Sequence, residues 1–597
     1  MSGRAVRAAL LTGWAAAGIR GVAVLAVGAA VSGLPVLAAW AGKLLIDGLN
    51  GPARPASELA WLAAAAALLG GAAAGAGYLT GYLTAWLRTR IGLHVEQRLY
   101  RAASGLRGLR VLEDPAFQDR FRLAEGTAQH APGACVAFLL TSVRAVLGSA
   151  GFLVLVLAVW PPMAVMLALA AVPHLLAQWG MARRFARTAE ETMTARRSRF
   201  MYQGLQTELA GAAEHRLYGL GDLFHARMTR ASLEVSGADL RVQRRMTLTQ
   251  GGLALLSAVT LAAGSAAVVF RAAGGHLTAG DVVLFLSAVA GLQAAVSGVG
   301  TQLADAAQAV RLFRHYLDVV DAPPDLVDGT GTPDPLRRSV EFRDVWFRYD
   351  ADGPWVLRGL NLTIPAGRAT GLAGVNGAGK STLISLLCRL YDPERGEIRW
   401  DGTDIRTYAI DGLRGRIGVT FQDFMAYDLT VAENIGVGDV ARLDDRPAIE
   451  RAAGLAGAAT TIEGLRDGYR TLLSRIFVGE TGDGRGVALS GGQRQRVALA
   501  RSLMRDDADL LILDEPNSGL DAVSEHQIHE ILRRHRSGRT SLLVSHRLNT
   551  LREADRIVVL EAGRVIEEGT HPELVDAGGR YAELFALQAA GYAETAA

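Results

Sequence analysis

One octet in the second half of the chain has the residue types of a phosphate-binding loop. It reads Gly374-Val375-Asn376-Gly377-Ala378-Gly379-Lys380-Ser381, follows the apolar run 369–373 and opens a helical stretch that ends at Leu390. Such glycines let backbone N–H groups approach phosphate oxygens, and the helix N-terminus adds a partial positive charge. Lys43 is the only other lysine among the 62 Lys and Arg residues. The octet predicts nucleotide binding, with Lys380 reaching the outer phosphates as a compact point charge.

Two adjacent carboxylates follow another apolar run. Residues 510–513 lead directly into Asp514 and Glu515, a pattern typical of a buried strand with acids at its end. The first acid suits a hold on Mg²⁺ beside the hydroxyl of Ser381, and Glu515 is then placed to accept a proton from an attacking water. This pairing predicts hydrolysis of the bound nucleotide.

A second candidate anion site precedes the helix that begins at Arg494, in the run Leu489-Ser490-Gly491-Gly492-Gln493. One nucleotide does not need two such sites, unless the second serves a nucleotide held by another copy of the chain. Gln422 lies in Phe421-Gln422-Asp423-Phe424, and His546 follows the β-like run 541–545. Each of these two, taken alone, would be an ordinary surface polar residue.

The motifs lie in a C-terminal part with α/β character. At 597 residues the chain is too long for one core, so several domains are expected. Residues 321–338 are rich in Pro, Asp and Gly and predict a linker. From residue 339 to 597, short β-like runs alternate with helical ones, which predicts one α/β domain.

Residues 1–320 predict an all-α membrane domain. Half of the chain is hydrophobic, its mean hydropathy is +0.20, and the apolar character is concentrated before residue 310. Six stretches are long enough, or nearly so, to cross about 30 Å of hydrocarbon. The predicted spans are Gly21–Gly42, Leu59–Trp86, Ala134–Trp160, Met163–Trp179, Gly252–Phe270 and Val282–Val299.

Arginine distribution predicts the orientation of these spans. The segments after the second and fourth spans are rich in arginine, whereas the connections on the other face are short and nearly uncharged. The positive-inside rule therefore puts both termini and the α/β domain in the cytoplasm. A cleaved signal peptide is the competing interpretation of the N-terminus, but Arg20 interrupts its apolar stretch. We expect Ala8–Gly18 to be an interfacial helix.

The two arginine-rich segments have two open interpretations: they are either helical extensions of the spans or solvated loops. The first segment contains a candidate turn near Asp114, and the second contains one near Tyr218. Polar residues within spans are costly, so Arg144 and Gln293 are candidates for a cavity lining, although Arg144 is close enough to the cytoplasmic end to snorkel. Lys43 and Asp47 predict an interfacial ion pair.

Bulk composition limits the classes of partner. The net charge is only +3, which gives no support for nucleic acid as a partner. Cys135 and Cys388 fit no metal or disulfide spacing and are expected to be small core residues. The frequent Ala, Gly and Arg suggest a bacterium with a GC-rich genome.

The chain resembles the ATP-binding-cassette (ABC) transporter family in five motifs that occur in the family's order. They match Walker A at 374–381, the Q-loop at Gln422, the signature at Leu489–Gln493, Walker B ending at Asp514-Glu515 and the switch histidine His546. Asp521 matches the D-loop, and Tyr349 the aromatic residue that stacks on adenine. Six spans ahead of one cassette resemble the half-transporter of type IV exporters. The turns near Asp114 and Tyr218 then become candidate coupling helices.

The resemblance implies a complete set of site residues. Glu515, His546 and Lys380 are the expected catalytic residues, and Ser381, Gln422 and Asp514 the expected Mg²⁺ ligands. The expected ATP-binding residues are Tyr349, Gly374, Asn376, Gly377, Gly379, Lys380, Ser381, Thr382, Gln422, Ser490, Gly491, Gly492, Gln493 and Asp521. Two departures are Asn517 and Gly519 beside the D-loop, and what looks like a four-residue insertion, 481–484, before Arg485-Gly486.

The function that the resemblance implies is ATP-driven export by alternating access in a homodimer. The expected setting is the lipid bilayer of a bacterial cytoplasmic membrane, with a small molecule, peptide or lipid as substrate. Import on an exporter fold, as in some siderophore transporters, is one alternative, and an ATP-gated channel or regulator is another. The presence of both Glu515 and His546 argues against a cassette that acts only as a switch.

Overall fold

The computed structural model forms two compact units, a helical unit made of residues 1–105 and 115–323 and a cassette unit made of 106–114 and 324–597. The residues that the structure describes are 3–51, 54–128, 131–162, 164–165, 192–207, 211–474, 486–516, 530, 533 and 538–595.

The helical unit consists of long helices, and five of the described segments are long and apolar enough to cross a membrane. The fourth predicted span, Met163–Trp179, lies outside the described residues except for 164–165. The helices are α1 Gly3–Ser32, α2 Leu34–Asn50, α3 Ala56–Ser104, α5 Pro115–Ala128, α6 Ala131–Val159, α7 Met193–Thr207, α8 Ala212–Leu217, α9 Gly221–Ala273 and α10 Ala279–Val320; the short α4, Arg110–Glu113, belongs to the cassette unit.

The first of the five membrane-length segments, Arg4–Asn50, contains α1 and α2 and is interrupted twice. At Gly18 the backbone has φ 54° and ψ −147°, a conformation that residues with a Cβ rarely adopt, so α1 bends there. At Gly33 the chain passes from α1 to α2, which has Pro35 in its first turn, where its missing N–H is not needed. The predicted interfacial helix, Ala8–Gly18, thus coincides with the part of α1 before the bend.

Most of the described arginine-rich segments are helical. Helix α3 continues past Trp86 to Ser104, and α9 begins at Gly221, well before the apolar stretch that starts near Gly252. This settles the choice between helical extensions and solvated loops in favour of extensions for these parts. Where α2, α6, α9 and α10 approach one another, side chains such as Phe152, Val268 and Phe285 form an apolar core.

The cassette unit contains a four-stranded antiparallel sheet and a six-stranded sheet. The strand orders are β2-β1-β4-β5 and β10-β9-β3-β8-β7-β6, and the second sheet is parallel except for the pair β9–β10. The strands are β1 Ser339–Phe347, β2 Leu357–Pro365, β3 Ala369–Ala373, β4 Arg395–Trp400, β5 Thr403–Asp404, β6 Ile417–Thr420, β7 Leu510–Asp514, β8 Thr540–Val544, β9 Arg556–Glu561 and β10 Arg564–Gly569.

Helices cover the cassette sheets and complete two apolar cores. One core joins α11 to both sheets through residues such as Leu383 and Trp400, and the other joins the six-stranded sheet to α13, α14 and α16. The helices are α11 Lys380–Leu387, α12 Ile410–Gly415, α13 Val431–Gly436, α14 Arg446–Leu455, α15 Ala459–Glu463, α16 Gly491–Ser502, α17 Leu548–Leu551, α18 His571–Asp576 and α19 Arg580–Thr595; single 3₁₀ turns lie at Ile405–Thr407, Val440–Arg442 and Gly468–Arg470.

The segment 106–114, which includes α4, packs as part of the cassette. Gly108 N–H donates to Asp325 (3.1 Å), Leu109 N–H donates to the carbonyl of Leu390 (3.1 Å), and the Tyr391 hydroxyl donates to Glu113. A Cβ at Gly108 would come within 2.6 Å of Asp325 Oδ2, so a larger residue would disturb this contact. The candidate turn near Asp114 therefore contacts the cassette of its own chain, whereas α8, near Tyr218, groups with the helical unit.

The predicted linker is bound to the cassette from Pro324 onward. Arg389, only 1% exposed, donates to the carbonyls of Val327 (2.6 Å) and Tyr408 (2.9 Å), and Ile410 N–H donates to Asp328 (2.8 Å). The predicted domain limits at 320, 338 and 339 stay a prediction.

Candidate functional site

The site lies at one edge of the six-stranded sheet. Strands β3, β6, β7 and β8 are parallel, so their carboxyl ends meet at the same edge. The phosphate loop follows β3, Gln422 follows β6, Glu515 follows β7 and His546 follows β8. Ligands of open α/β sheets bind at such edges, which is where four of the sequence motifs meet.

The loop between β3 and α11 has backbone angles and clearances that suit glycine. Gly377 and Gly379 have φ values of 80° and 104°, and a Cβ at Gly379 would come within 2.8 Å of Leu357 Cδ2. A Cβ at Gly374 would lie 2.4 Å from the carbonyl oxygen of Leu560. Nothing lies within 4 Å of a Cβ position at Gly377, so the loop is open there. Asn376, next to it, is exposed.

Lys380 is folded back over this loop. Its side chain is buried, and Nζ donates to the carbonyl oxygens of Gly374 (2.6 Å) and Val375 (3.1 Å). Burial lowers the pKa of the ammonium, while the carboxylates of Glu515 and Asp514 act in the opposite direction. The lysine is therefore a positive charge inside the phosphate loop that faces both acids.

The ionisable side chain of Asp514 is buried at the end of β7, with 5% of the residue's surface exposed. Burial raises the pKa of its carboxyl to about 6, the neighbouring charge of Glu515 adds to the rise, and Lys380 opposes it. A carboxylate in this state is costly to keep ionised, and a cation would relieve that cost.

Glu515 is held by its backbone in an unusual conformation. Its φ of 48° lies in the left-handed region, which costs a non-glycine residue roughly 1 kcal/mol or more. Its N–H donates to the carbonyl of Val544 (2.9 Å), and its carbonyl accepts from Gln495 (3.2 Å), which also donates to the carbonyl of Pro516. These bonds fix the main chain from which the Glu515 side chain extends.

Two side chains converge on the Glu515 carboxylate. Gln422 Nε2 donates to Oε2 (2.8 Å), and His546 Nδ1 lies 3.0 Å from Oε1. The contact with His546 uses Nδ1, which leaves Nε2 for another partner. The structure thus brings together the three residues that follow β6, β7 and β8.

The main chain around the switch histidine, His546, is hydrogen-bonded to the C-terminal helix, α19. Gln588, on α19, donates from Nε2 to the carbonyl of His546 and accepts from the N–H of Leu548 (2.9 Å). The Gln588 amide therefore hydrogen-bonds to the main chain of the residues on both sides of Arg547. Sequence reasoning missed Gln588 and Gln495, because both act on main-chain groups and neither lies in a position that a motif marks by residue type.

Tyr349 is placed beside the start of α11. Its hydroxyl is 2.9 Å from the Thr382 hydroxyl, 41% of its surface is exposed, and its ring packs edge-on against Tyr391. Ser381 is exposed beside buried Thr382. An exposed aromatic ring at this position is available for stacking on a base.

The signature residues form a separate helix N-terminus. Ser490 and Gln493 form a capping box on α16, with Gln493 N–H donating to Ser490 Oγ (3.3 Å) and Ser490 N–H donating to Gln493 Oε1 (2.9 Å). A Cβ at Gly491 would meet nothing within 4 Å, and Gly492 is the next residue. In the described part of the chain, no hydrogen bond or ion pair joins this segment to the loop 374–381.

Three sequence expectations of the cassette lie outside the described residues. Asp521, the departures Asn517 and Gly519, and the insertion 481–484 all fall there. The individual roles of the other site residues stay predictions at this point.

In the helical unit, Arg144 lines a cavity of about 20 Å³ between α1, α3 and α6. Its guanidinium donates to Thr80 Oγ1 (2.9 Å), and Nε is buried without a partner. Gln293 is exposed on α10. Lys43 pairs with Asp47 (3.6 Å), as expected, and also with Asp281 at the start of α10, which the sequence did not indicate.

Comparison with known proteins points to one family. The family model described as "ABC transporter" matches residues 357–518. An ATP-dependent lipid A-core flippase of Alkalilimnicola ehrlichii is 41% identical over 315 residues, which cover 52% of this chain and 51% of the flippase. The flippase of Chromohalobacter salexigens is 36% identical over 380 residues, covering 64% of each protein. The chain thus spans about half to two thirds of the length of these curated relatives.

A solved structure covers almost the whole chain. The structure of a bacterial Atm1-family ABC exporter with ATP bound is similar with a TM-score of 0.79 and 26% sequence identity, over 96% of this chain and 98% of the exporter. A helical unit with helices of membrane length and an α/β cassette with a phosphate loop are the two parts of this chain that correspond to that exporter fold. The chain is thus similar to ABC transporters in its cassette, residues 357–518, and to an exporter of that family over nearly its whole length.

Proposed function

We propose that the chain hydrolyses ATP and couples this to export across a bacterial cytoplasmic membrane, with the cassette in the cytoplasm. The observation that carries the proposal is the convergence of Gln422 and His546 on the Glu515 carboxylate, beside the phosphate loop. A carboxylate that is held by two polar side chains can exchange one of them for a water molecule and accept a proton from that water.

The phosphate loop and its neighbours fit a nucleotide triphosphate. Gly374, Gly377 and Gly379 leave the backbone open to phosphate oxygens, and Lys380 would exchange its loop carbonyls for the outer phosphates. Tyr349 would stack on the adenine. Most of the rate acceleration would come from this positioning and from fixed charges, as is typical of phosphoryl transfer.

The donor set also fits Mg²⁺. Asp514 is buried with a raised pKa, so an adjacent cation would stabilise its ionised form. Asp514, Ser381 and Gln422 would hold the ion through oxygen atoms, the ligands that Mg²⁺ prefers. When bound, Mg²⁺ would neutralise charge on the phosphates.

A second copy of the chain would complete each ATP site. Within the described residues of one chain, the signature helix N-terminus at Ser490–Gln493 has no bond to the phosphate loop. Its open backbone N–H groups suit an anion, and the Ser490 cap leaves the Gly491 position clear. We therefore expect a homodimer in which Lys380 of one copy and Ser490–Gln493 of the other hold one nucleotide.

The substrate that fits best is a membrane amphiphile. The curated relatives are named lipid A-core flippases, and their matched regions include at least half of their own length. In this chain, Arg144 offers a cation within the membrane-length helices, with one guanidinium nitrogen unpaired. The positive charge of Arg144 would attract the anionic headgroup of a lipid. Gln293 stays a candidate for the same lining.

The replacement Glu515→Gln tests the hydrolytic part of the proposal. The amide keeps the shape but accepts no proton, so the variant should bind ATP with wild-type affinity while turnover falls by about a hundredfold or more. Glu463→Gln, an exposed position on α15, is the matched control and should leave turnover unchanged. Turnover of Glu515→Gln within about tenfold of wild type would remove Glu515 from the role of base.

A further inference from the structure

Two guanidinium groups contact one indole ring in the helical unit. Cζ of Arg20 lies 5.8 Å from the ring centre of Trp86, and Cζ of Arg90 lies 5.2 Å from it. Both arginines are exposed and Trp86 is half-buried. Each contact is an attractive cation–π interaction, but two like charges beside one ring repel each other. An anion beside the two guanidinium groups would therefore stabilise the cluster.

The described residues do not supply such an anion. Among the described residues, neither Arg20 nor Arg90 has a hydrogen bond or an ion pair. Other exposed arginines of the same unit do have carboxylate partners, for example Arg54 with Glu58 (2.9 Å) and Arg196 with Asp239 (3.1 Å). The cluster Arg20–Trp86–Arg90 is thus a positive site that is open to an external anion.

The position of the cluster puts it at the cytoplasmic surface of the membrane. Arg20 precedes the first span, and Trp86 and Arg90 lie at the end of the second, on the arginine-rich side. Arginine and tryptophan at this depth are the residues that anchor a helix among lipid headgroups. A soluble anion has no reason to concentrate there, whereas anionic lipids do.

The bend in α1 adds an apolar surface next to the cluster. Before Gly18, one face of α1 is buried, with the Gly13 position against Val136. The other face exposes Leu11 (58%) and Trp14 (44%), and Ile19 at the bend is 86% exposed. Apolar side chains beside a cationic headgroup site suit the acyl chains of a lipid.

We propose that Arg20, Trp86 and Arg90 form a binding site for the phosphate of an anionic phospholipid of the cytoplasmic leaflet. Each guanidinium donates to phosphate oxygens through its planar fork, while the indole face holds both groups in place. Leu11, Trp14 and Ile19 contact the acyl chains. This site is separate from the ATP site and from the cavity at Arg144, and it does not depend on the transported substrate.

Native mass spectrometry of the full chain in detergent tests the site. The protein is titrated with phosphatidylglycerol, and in parallel with neutral phosphatidylcholine, as wild type, Arg20→Gln, Arg90→Gln and the double variant. Each replacement should weaken the first phosphatidylglycerol-binding step about fivefold. Phosphatidylcholine has the same phosphate, but its choline offsets the charge, so its binding should weaken less than that of phosphatidylglycerol in every variant. Arg54→Gln, which removes an arginine with its own carboxylate partner, is the matched control and should bind phosphatidylglycerol like wild type.

Soluble glycerol phosphate distinguishes a lipid from a free anion. It should not displace phosphatidylglycerol from wild type at equal concentration, because it lacks acyl chains. Displacement at equal concentration would overturn the assignment to a lipid. An unchanged phosphatidylglycerol affinity in the double variant, or the same loss in Arg54→Gln, would overturn the site itself.

Discussion

The ammonium of Lys380 occupies a confined space. It is buried within the phosphate loop, with loop carbonyls at 2.6 Å and 3.1 Å from Nζ. The chain uses arginine at almost every other basic position, so charge alone does not explain this lysine. Its compact head and its three rotatable donors do.

The replacement Lys380→Arg should therefore lower ATP turnover although it preserves the charge. A planar guanidinium should displace the loop or the outer phosphate by roughly an ångström, which can cost about tenfold to a hundredfold in rate. Steady-state ATPase assays measure this, and the other lysine supplies the control, because Lys43→Arg should leave turnover unchanged. Near-wild-type turnover of Lys380→Arg would show that position 380 needs only a positive charge.

Asp514 should make the stability of the free protein depend on pH. Its folded-state pKa is raised from 3.8 to about 6, so the folded state binds more protons than the unfolded state between those values. The ionised side chain therefore destabilises the fold above the folded-state pKa, and stability is regained as pH falls. With chelator and without nucleotide, Asp514→Asn should unfold at a higher temperature than wild type at about pH 8, with a smaller difference at about pH 5. A pH-independent difference in thermal-unfolding curves would contradict this assignment.

The sequence predicted those site residues whose chemistry shows in a short motif. The phosphate loop and the acids at the end of β7 have such motifs, and the structure places them at one sheet edge. Gln495 and Gln588 were not predictable, because a glutamine that binds main-chain carbonyls distant in sequence leaves no local pattern. The positive φ of Glu515 is equally invisible in the sequence, since glutamate does not favour that conformation.

Elements were predictable where their pattern is local. The apolar runs 369–373 and 510–513 became strands β3 and β7. The arginine-rich segments gave two equal interpretations, because polar helices and solvated loops have the same composition. The packing of α4 on the cassette depends on pairs such as Tyr391 with Glu113, which are separated by hundreds of residues.

Helix α19 is expected to support catalysis by holding the switch segment. Gln588→Ala removes the bonds to the main chain of His546 and Leu548, so the imidazole should lose its fixed position. ATP turnover should fall about threefold to tenfold while the apparent KM for ATP stays the same, since no group that binds the nucleotide is removed. Leu587→Ala, at an exposed neighbouring position, is the control. A rise in KM with unchanged turnover would contradict a positioning role.

At the scale of the whole molecule, the division into a helical unit and a cassette was predictable from composition. The sequence predicted six spans, and the described residues contain five helices of membrane length, with most of the fourth span outside them. The predicted half-transporter layout agrees with the similarity to the Atm1-family exporter over 96% of the chain. Dimerisation was predicted from a chemical argument, the presence of two anion sites for one nucleotide.

If each ATP site is shared by two copies of the chain, a mixture of two suitable inactive variants should contain dimers with one intact site. Lys380→Ala disables the phosphate loop of its own copy. Gly491→Asp adds a negative charge at the N-terminus of α16, where there is room for a side chain, so the fold should tolerate it. In a mixed dimer, the intact loop of the second variant meets the intact signature of the first.

Complementation between these variants is the most direct test of ATP hydrolysis at sites shared by two identical copies. The two proteins are mixed, allowed to exchange subunits and assayed for ATPase activity beside each variant alone. We predict that Lys380→Ala and Gly491→Asp are each inactive and that the mixture regains a measurable fraction of wild-type turnover. A mixture as inactive as its components, although mixed dimers are detected by differential tagging, would contradict composite sites.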